Sequence, residues 1–212
     1  MSAAMTVELA GDGNRDRESE ILDGVLSVLA GDGIGGVTMR AVARAAGVSL
    51  GLASYYFDDK TALIGAALRR IGEHDLEIVR PGGDGDPVQR LRLALGRVAD
   101  DEFLRPEYLA LRLQLWSMAP TDPTYAAING EAQRRYLDGL VGLLTAARPD
   151  LVAGEVAERA AEILVIQNGI WLTAVLIDDR TAIERSVART ERIAFAPPRP
   201  MSPDRSRATV RP

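Results

Sequence analysis

Residues 38 to 60, TMRAVARAAGVSLGLASYYFDDK, gather the side chains of this chain best suited to meeting a polyanion. Thr38, Arg40, Ser49, Ser54, Tyr55, Tyr56 and Lys60 place hydroxyl, guanidinium and ammonium donors on two short segments. Donors of this kind suit phosphate oxygens and base edges. Lys60 is the only lysine in the chain, and three of its ten aromatics stand in a row at 55–57. At helical spacing the three cannot share one core. Phe57 is expected inside, with the Tyr55 and Tyr56 hydroxyls turned toward phosphate or a thymine methyl.

The positioning elements are legible in the same stretch. Thr38 is a good N-cap, since its hydroxyl can accept a free amide of the first turn. Met39, Val42, Ala43 and Ala46 recur at helical spacing. Gly47 ends that helix where a left-handed backbone is cheap. Val48 plugs the angle and Ser49 caps a second helix. Leu50 to Phe57 makes about two turns, enough to enter a major groove about 12 Å wide. Gly51, Ala53 and Ser54 keep it thin, so that Leu50, Gly51 and Ser54 sit close to base edges. Lys60 opens the next helix, an unfavourable place for a cation unless an anion shares the site. The sum is a helix-turn-helix. The bland alternative is two amphipathic helices of an ordinary helical protein.

The pattern T-x-R-x-V-A-x-x-A-G-V-S-x-G-x-x-x-Y-Y-F-x-x-K-x-x-L, Thr38 to Leu63, resembles the DNA-binding domain of the tetracycline-repressor (TetR) family of one-component regulators. The resemblance covers about residues 17 to 65. It implies that Thr38, Arg40, Ser49, Tyr55, Tyr56 and Lys60 touch phosphates or bases. Two later stretches, LQLWSMAPTDPTY (113–125) and IQNGIWLTAVLIDD (166–179), are similar to the C-terminal domain of the choline-responsive betaine regulators, the BetI-like subgroup.

Composition narrows the alternatives. A chain of 212 residues without cysteine has no disulfide, thiolate metal site or cysteine nucleophile. A single histidine, His74, excludes a multi-histidine metal site. Nothing calls for a metal or cofactor. No signal peptide is evident, and the apolar stretch Ile163 to Ile177 is broken by polar groups and too short to span a bilayer. The expected setting is the cytoplasm, with no membrane partner. Net charge is −5, and residues 1–60 hold nine acids against five bases. A DNA reader is usually basic. Electrostatic affinity is therefore expected to be modest, with specificity resting on paired half-sites.

The chain reads as all-α, about nine helices. Residues 1–14 are expected as a disordered arm, with Arg15 and Arg17 either near phosphate or solvated. Residues 15–60 form the reader, its first helix running from about 17 to 30 and stopped by Gly31-Asp32-Gly33. Helix four, 59–80, connects. PGGDGDP at 81–87 is the clearest break. Residues 81–195 form a larger effector-binding and dimerisation domain. Its helices are expected at about 88–103, 106–118, 123–147, 153–177 and 181–195, the last opened by a Thr181/Glu184 capping box. A proline- and arginine-rich tail from 196 is expected to stay unfolded.

The helix over 153–177 is apolar nearly all round from Ile163, which requires burial on several sides. A second subunit is inferred, with Ile163, Ile166, Ile170, Ile177, Ile183, Val187, Thr190 and Ala194 at a two-fold four-helix interface. The alternative is the central helix of a monomer. Phe103, Tyr108, Arg112, Trp116, Met118, Tyr125, Gln167 and Trp171 are candidate lining for a small organic effector. Stacked Trp and Tyr suit a cation; Arg112 would suit an anion or else stand on the surface. Taken singly, each is equally an ordinary core residue. The expected function is a DNA-binding transcriptional regulator, a repressor by family expectation, released from a pseudo-palindromic operator by its effector. Two rivals stand beside it: a helical enzyme, for which no catalytic constellation is present, and a helical protein–protein adaptor without DNA binding, kept alive by the acidic reader.

Overall fold

Helix punctuation encoded in the sequence sets the architecture. A computed structural model of the chain describes residues 3–80, 82 and 85–199, with side chains from Arg17 onward, and every regular element among them is helical. The helices are α1 (Ala3–Gly36), α2 (Met39–Ala45), α3 (Leu50–Tyr56), α4 (Lys60–Leu76), α5 (Pro87–Arg97), the single turn α6 (Asp101–Leu104), α7 (Pro106–Met118), α8 (Pro123–Ala147), α9 (Ala153–Leu176) and α10 (Arg180–Phe195). The side chains of Thr38, Ser49, Asp59, Asp86, Asp122 and Asp179 each accept a hydrogen bond from an amide of the helix that follows. Pro87, Pro106 and Pro123 sit in first turns, where a missing N–H costs nothing.

Several boundaries differ from the sequence reading. The backbone of α1 begins at Ala3, inside the stretch expected as an arm, and continues past Gly33 to Gly36. Gly33 alone leaves helical geometry, at φ 65°. The helix expected over 88–103 is two elements, because Asp100 is extended (ψ 148°). That break turns Phe103 into the core. Asp179, not Thr181, caps α10, accepting from the Ala182 amide at 2.9 Å. Of the tail expected to be unfolded, 196–199 are held: Arg159 donates to the Ala196 and Pro197 carbonyls, and Arg148 to those of Ala194 and Ala196. Residues 81, 83 and 84 of the expected break, and the tail from 200, lie outside the described residues.

Two apolar clusters share α4. One joins Ile21, Val25 and Leu29 of α1 to Val42, Phe57, Leu63 and Ile64, and takes in Leu111, Leu115 and Tyr125 from the larger half. The other packs the end of α4 against α5 and α7–α10 around Leu140, Leu144, Ile163, Ile170 and Trp171. A movement of α4 therefore disturbs both clusters. Helix α9 has 24 residues and is apolar enough, by length and composition alone, to cross a membrane. It is longer than the apolar stretch read from sequence. Its buried Arg159 and Gln167 and its packing against α8 and α10 are those of a bundle's core helix.

Candidate nucleic-acid interface and the buried arginine cluster

The reader begins with α2 lying against α1. Gly24 makes that contact close: a Cβ there would stand 2.9 Å from the Cβ of Ala46. Gly47 then takes φ 67°, a conformation a side chain resists. The Val48 amide bonds the Ala43 carbonyl at 2.9 Å across that turn. This turn fixes the angle at which α3 leaves α2. Ser49 accepts from the Leu52 amide at 3.1 Å, and Thr38 does the same for α2 from Ala41. A hydroxyl used as an acceptor keeps its own proton to donate, so both caps can still bond a phosphate.

The two sides of α3 differ. Ala53 and Phe57 are buried. Leu50, Gly51, Ser54 and Tyr55 are exposed, Tyr55 by 78 %. Tyr56 is less exposed than Tyr55. It is half-buried against the α1–α4 cluster, and its ring meets that of Tyr55 edge to face at 5.3 Å. Arg40 and Arg44 are exposed on α2 and form no ion pair among the described residues. Lys60 is also exposed, and its ammonium donates to the Ile34 carbonyl at 2.7 Å, near the end of α1. A helix end carries partial negative charge. The partial negative charge of that helix end helps make a cation tolerable at the start of α4.

The effector candidates divide. Met118 and Tyr125 join the α1–α4 cluster. Phe103, Tyr108, Arg112, Trp116, Gln167 and Trp171 come together in the larger half. Arg112 is not a surface residue but wholly buried. Its Nη2 donates to Asp75 and, at 3.2 Å, to the Tyr108 hydroxyl, which itself donates to Asp75. The guanidinium carbon lies 3.4 Å from the Trp171 ring centre and 5.4 Å from that of Trp116. Burial pulls the Arg112 pKa down to about 9, so it remains a cation at neutral pH. The same burial holds the Tyr108 and Tyr136 phenols far above their ordinary value, as neutral donors. Asp75 was missed from sequence, although a signal existed. It continues the buried row Ile64, Leu68, Ile71 at helical spacing, an acid where the pattern demands an apolar group.

A cleft of about 570 Å³ opens beside this cluster, with Tyr108, Leu111, His74, Arg70 and Arg105 in its wall. His74 lies between Glu77 and Glu102, 3.6 and 3.4 Å away, and stacks on Phe103 at 4.9 Å. These three groups could hold a metal ion.

The interface expectation is corrected in part. Ile163, Ile170, Ile183, Thr190 and Ala194 are buried within the subunit, 2 % exposed or less, and have no surface left for a partner. Ile166 and Val187 pack partly against the same core. Only Ile177 of the expected set stands well out, at 67 %. The outward row of α9 is instead Val165, Leu172 and Leu176, one helical face of exposed apolar side chains.

An all-helical chain that carries an exposed, doubly capped α3 on a helix-turn-helix, joined to a larger helical bundle, defines a DNA-reading regulator class. The family models agree: residues 21–67 match the bacterial regulatory proteins of the tetR family, and residues 87–196 match the BetI-type transcriptional repressor C-terminal model. The chain belongs to the TetR family, with a BetI-type C-terminal half, and is a DNA-binding transcriptional regulator. It is 29 % identical over 176 residues to the HTH-type transcriptional regulator BetI of Burkholderia cenocepacia, covering 79 % of this chain and 89 % of that protein. Its fold is similar to a TetR transcription regulator of Haloarcula marismortui (TM-score 0.74, 22 % identity, 85 % of this chain and 97 % of that one). It is also similar to a transcriptional regulator of Pseudomonas aeruginosa PAO1 (TM-score 0.73, 21 % identity, 85 % and 89 %).

Proposed function

We propose that this protein is a homodimeric cytoplasmic repressor that holds a pseudo-palindromic operator through two copies of α3 and releases it when a small organic effector binds in the larger half. The observation that carries this reading is the outer face of α3. Its ends are fixed by Ser49 and Phe57, its inner face is sealed by Ala53 and Phe57, and Leu50, Ser54 and Tyr55 are left exposed. Leu50 and the tyrosine ring supply apolar contacts to thymine methyls, Ser54 and Tyr55 supply hydroxyls, and Thr38, Arg40, Ser49 and Lys60 face phosphates. Half-sites one DNA turn apart, roughly 34 Å, require a second copy of the chain. The row Val165, Leu172, Leu176 is the apolar surface available to receive it. The effector acts by population shift, favouring a reader separation that no longer matches the operator. Selection of binding sites from a random DNA pool, followed by anisotropy measurements across a salt titration, tests the reading. Failure to select any duplex would favour the protein–protein adaptor instead.

A further inference from the structure

We propose that the effector is a small organic carboxylate, and that it binds by taking the place of Asp75 on Arg112. This assignment rests on the effector-controlled reading above and specifies its ligand.

The aromatic box that would suit an organic cation is already filled. The Arg112 guanidinium lies 3.4, 5.4 and 5.2 Å from the ring centres of Trp171, Trp116 and Tyr108. A second cation would have to share those ring faces with a like charge, at a site removed from water. The unmatched polar atoms around Arg112 point to the opposite sign. Arg112 Nε, Arg112 Nη1, Trp171 Nε1 and Gln167 Nε2 are buried without a hydrogen-bond partner among the described residues. Gln167 Oε1 is used, accepting from the Tyr136 hydroxyl at 3.1 Å. Gln114 Oε1 and Asn168 Oδ1 are also buried and unmatched, and turning the Gln167 amide over would offer its oxygen, but guanidinium and indole nitrogens have no acceptor form, and Arg112 and Trp171 leave more N–H groups unmatched than that one oxygen can accept. A carboxylate brings two oxygens and about four lone-pair directions, and it is the partner that a buried arginine satisfies best.

The chain already demonstrates the chemistry with one of its own groups. The Asp75 carboxylate sits on Arg112 and Tyr108, and Asp75 belongs to α4, the helix shared by both apolar clusters. An incoming carboxylate that claims Arg112 releases α4 from α7. At its other end α4 starts with Lys60, bonded to the end of α1. Ligand chemistry in the larger half is thereby coupled to the seating of the reader. The route inward is the cleft beside Tyr108. Its wall holds Arg70, Arg80 and Arg105 together with His74, against Glu73 and Glu77.

The test is calorimetric titration of the full-length protein with a panel of short aliphatic and aryl carboxylates, each beside its amide, and with choline as the cationic probe. The best carboxylate is expected to saturate one site per subunit and to bind at least tenfold tighter than its amide, with no saturable binding of choline. Asp75→Asn keeps the size and hydrogen bonds of the side chain but removes the competing charge. It should tighten carboxylate binding about tenfold and leave amide binding unchanged. Arg112→Met combined with Asp75→Leu, which keeps the core neutral, should abolish carboxylate binding. The proposal is overturned if no carboxylate outbinds its amide, if choline saturates the site, or if Asp75→Asn brings no gain. Carboxylate binding that leaves the DNA complex intact would preserve this site and sink effector-driven release. DNA release by an amide or an ammonium alone would do the reverse.

Discussion

Tyr55 and Phe57 are two positions apart and answer to different selection. Phe57 is sealed among α1, α2 and α4, and its removal leaves a cavity, so Phe57→Ala should cost about 3–5 kcal/mol of stability. Tyr55 contributes little to that core, being mostly exposed, and its ring rests only on the edge of Tyr56. Tyr55→Ala should leave the melting temperature nearly unchanged while weakening operator binding by about tenfold or more, the order expected for one good groove contact. Anisotropy on a selected operator, beside a thermal melt, measures both. Equal affinity of mutant and parent would remove Tyr55 from the interface. Lys60 falls between the two. Its bond to the Ile34 carbonyl gives it a share in holding α1 to α4, so Lys60→Ala should lose stability as well as DNA affinity. Legibility at this scale followed side-chain geometry. Caps declare themselves through short hydroxyl and carboxylate residues just ahead of apolar periodicity, and Thr38 and Ser49 cap α2 and α3 as read, while Asp59, read only as the start of the next helix, follows the same rule. Asp75 escaped because an isolated acid in a helix reads as solvated. Its position in the buried row of α4 is visible only once that row is traced through Ile64, Leu68 and Ile71.

Among the elements, the crossing of α1 and α2 sets the pose of α3, and Gly24 is where the two backbones come nearest. An added methyl would meet both the Cβ and the amide nitrogen of Ala46 at 2.9 Å, and backbone cannot swing aside as a long side chain would. Gly24→Ala should therefore destabilise the fold by about 1–3 kcal/mol, which lowers a melt by roughly 2–4 °C per kcal/mol in a chain of this size. An unchanged melt would show that the helices separate freely. The end of α10 is held differently, by charge. Arg148 bonds Asp150, and the Arg199 amide and Arg159 bond Glu155. The Arg148 hydrogen bond holds the Asp150 carboxyl below its ordinary 3.8, and the Arg199 backbone hydrogen bond chiefly does the same for Glu155 below 4.5. Carboxyls depressed in the folded state stabilise it above those ordinary values, and that contribution disappears as pH falls through their lowered ones. The protection of the Arg199 amide, its exchange measured against the intrinsic rate at each pH, should be lost selectively below about pH 4, and Glu155→Gln should remove much of that pH dependence. Helix boundaries were largely legible, whereas the assignment of faces on α9 was not. A helix apolar all round tells that several sides are covered. It does not tell which side its own chain covers, and so Ile163 and Ile170 were given to a partner when α8 and α10 already enclose them.

For the whole molecule, the acidic balance and the dimer face are linked. A chain of net charge −5 gains little from bulk attraction to DNA. Arg40 and Arg44 on α2 and Lys60 at the start of α4 are three exposed cations of the reader, and the proposed interface would set them near DNA. If each neutralises one phosphate, a dimer shows a salt dependence of log K against log salt no steeper than about −5. Such a weak electrostatic grip makes occupancy depend on holding two readers together, since linking two sites raises avidity without adding a contact. In the dimer proposed above that burden would fall on Val165, Leu172 and Leu176, which are 71, 40 and 72 % exposed in the single subunit. Charges placed there should be harmless to a lone chain, because the row is not part of its core. They should be costly only in the pair. Val165→Glu with Leu172→Glu is expected to convert a dimer to a monomer in sedimentation at micromolar concentration, with helical content and melting cooperativity retained. Operator affinity should fall by at least a hundredfold, and binding to an isolated half-site should change little. Ile163→Glu, two residues before Val165 but turned inward, should instead unfold the subunit, because it buries a charge among apolar groups with nothing to pair it. A double mutant that sediments as the parent dimer would place the two-fold axis on another face of the molecule. The outward row of α9 would then need a different explanation.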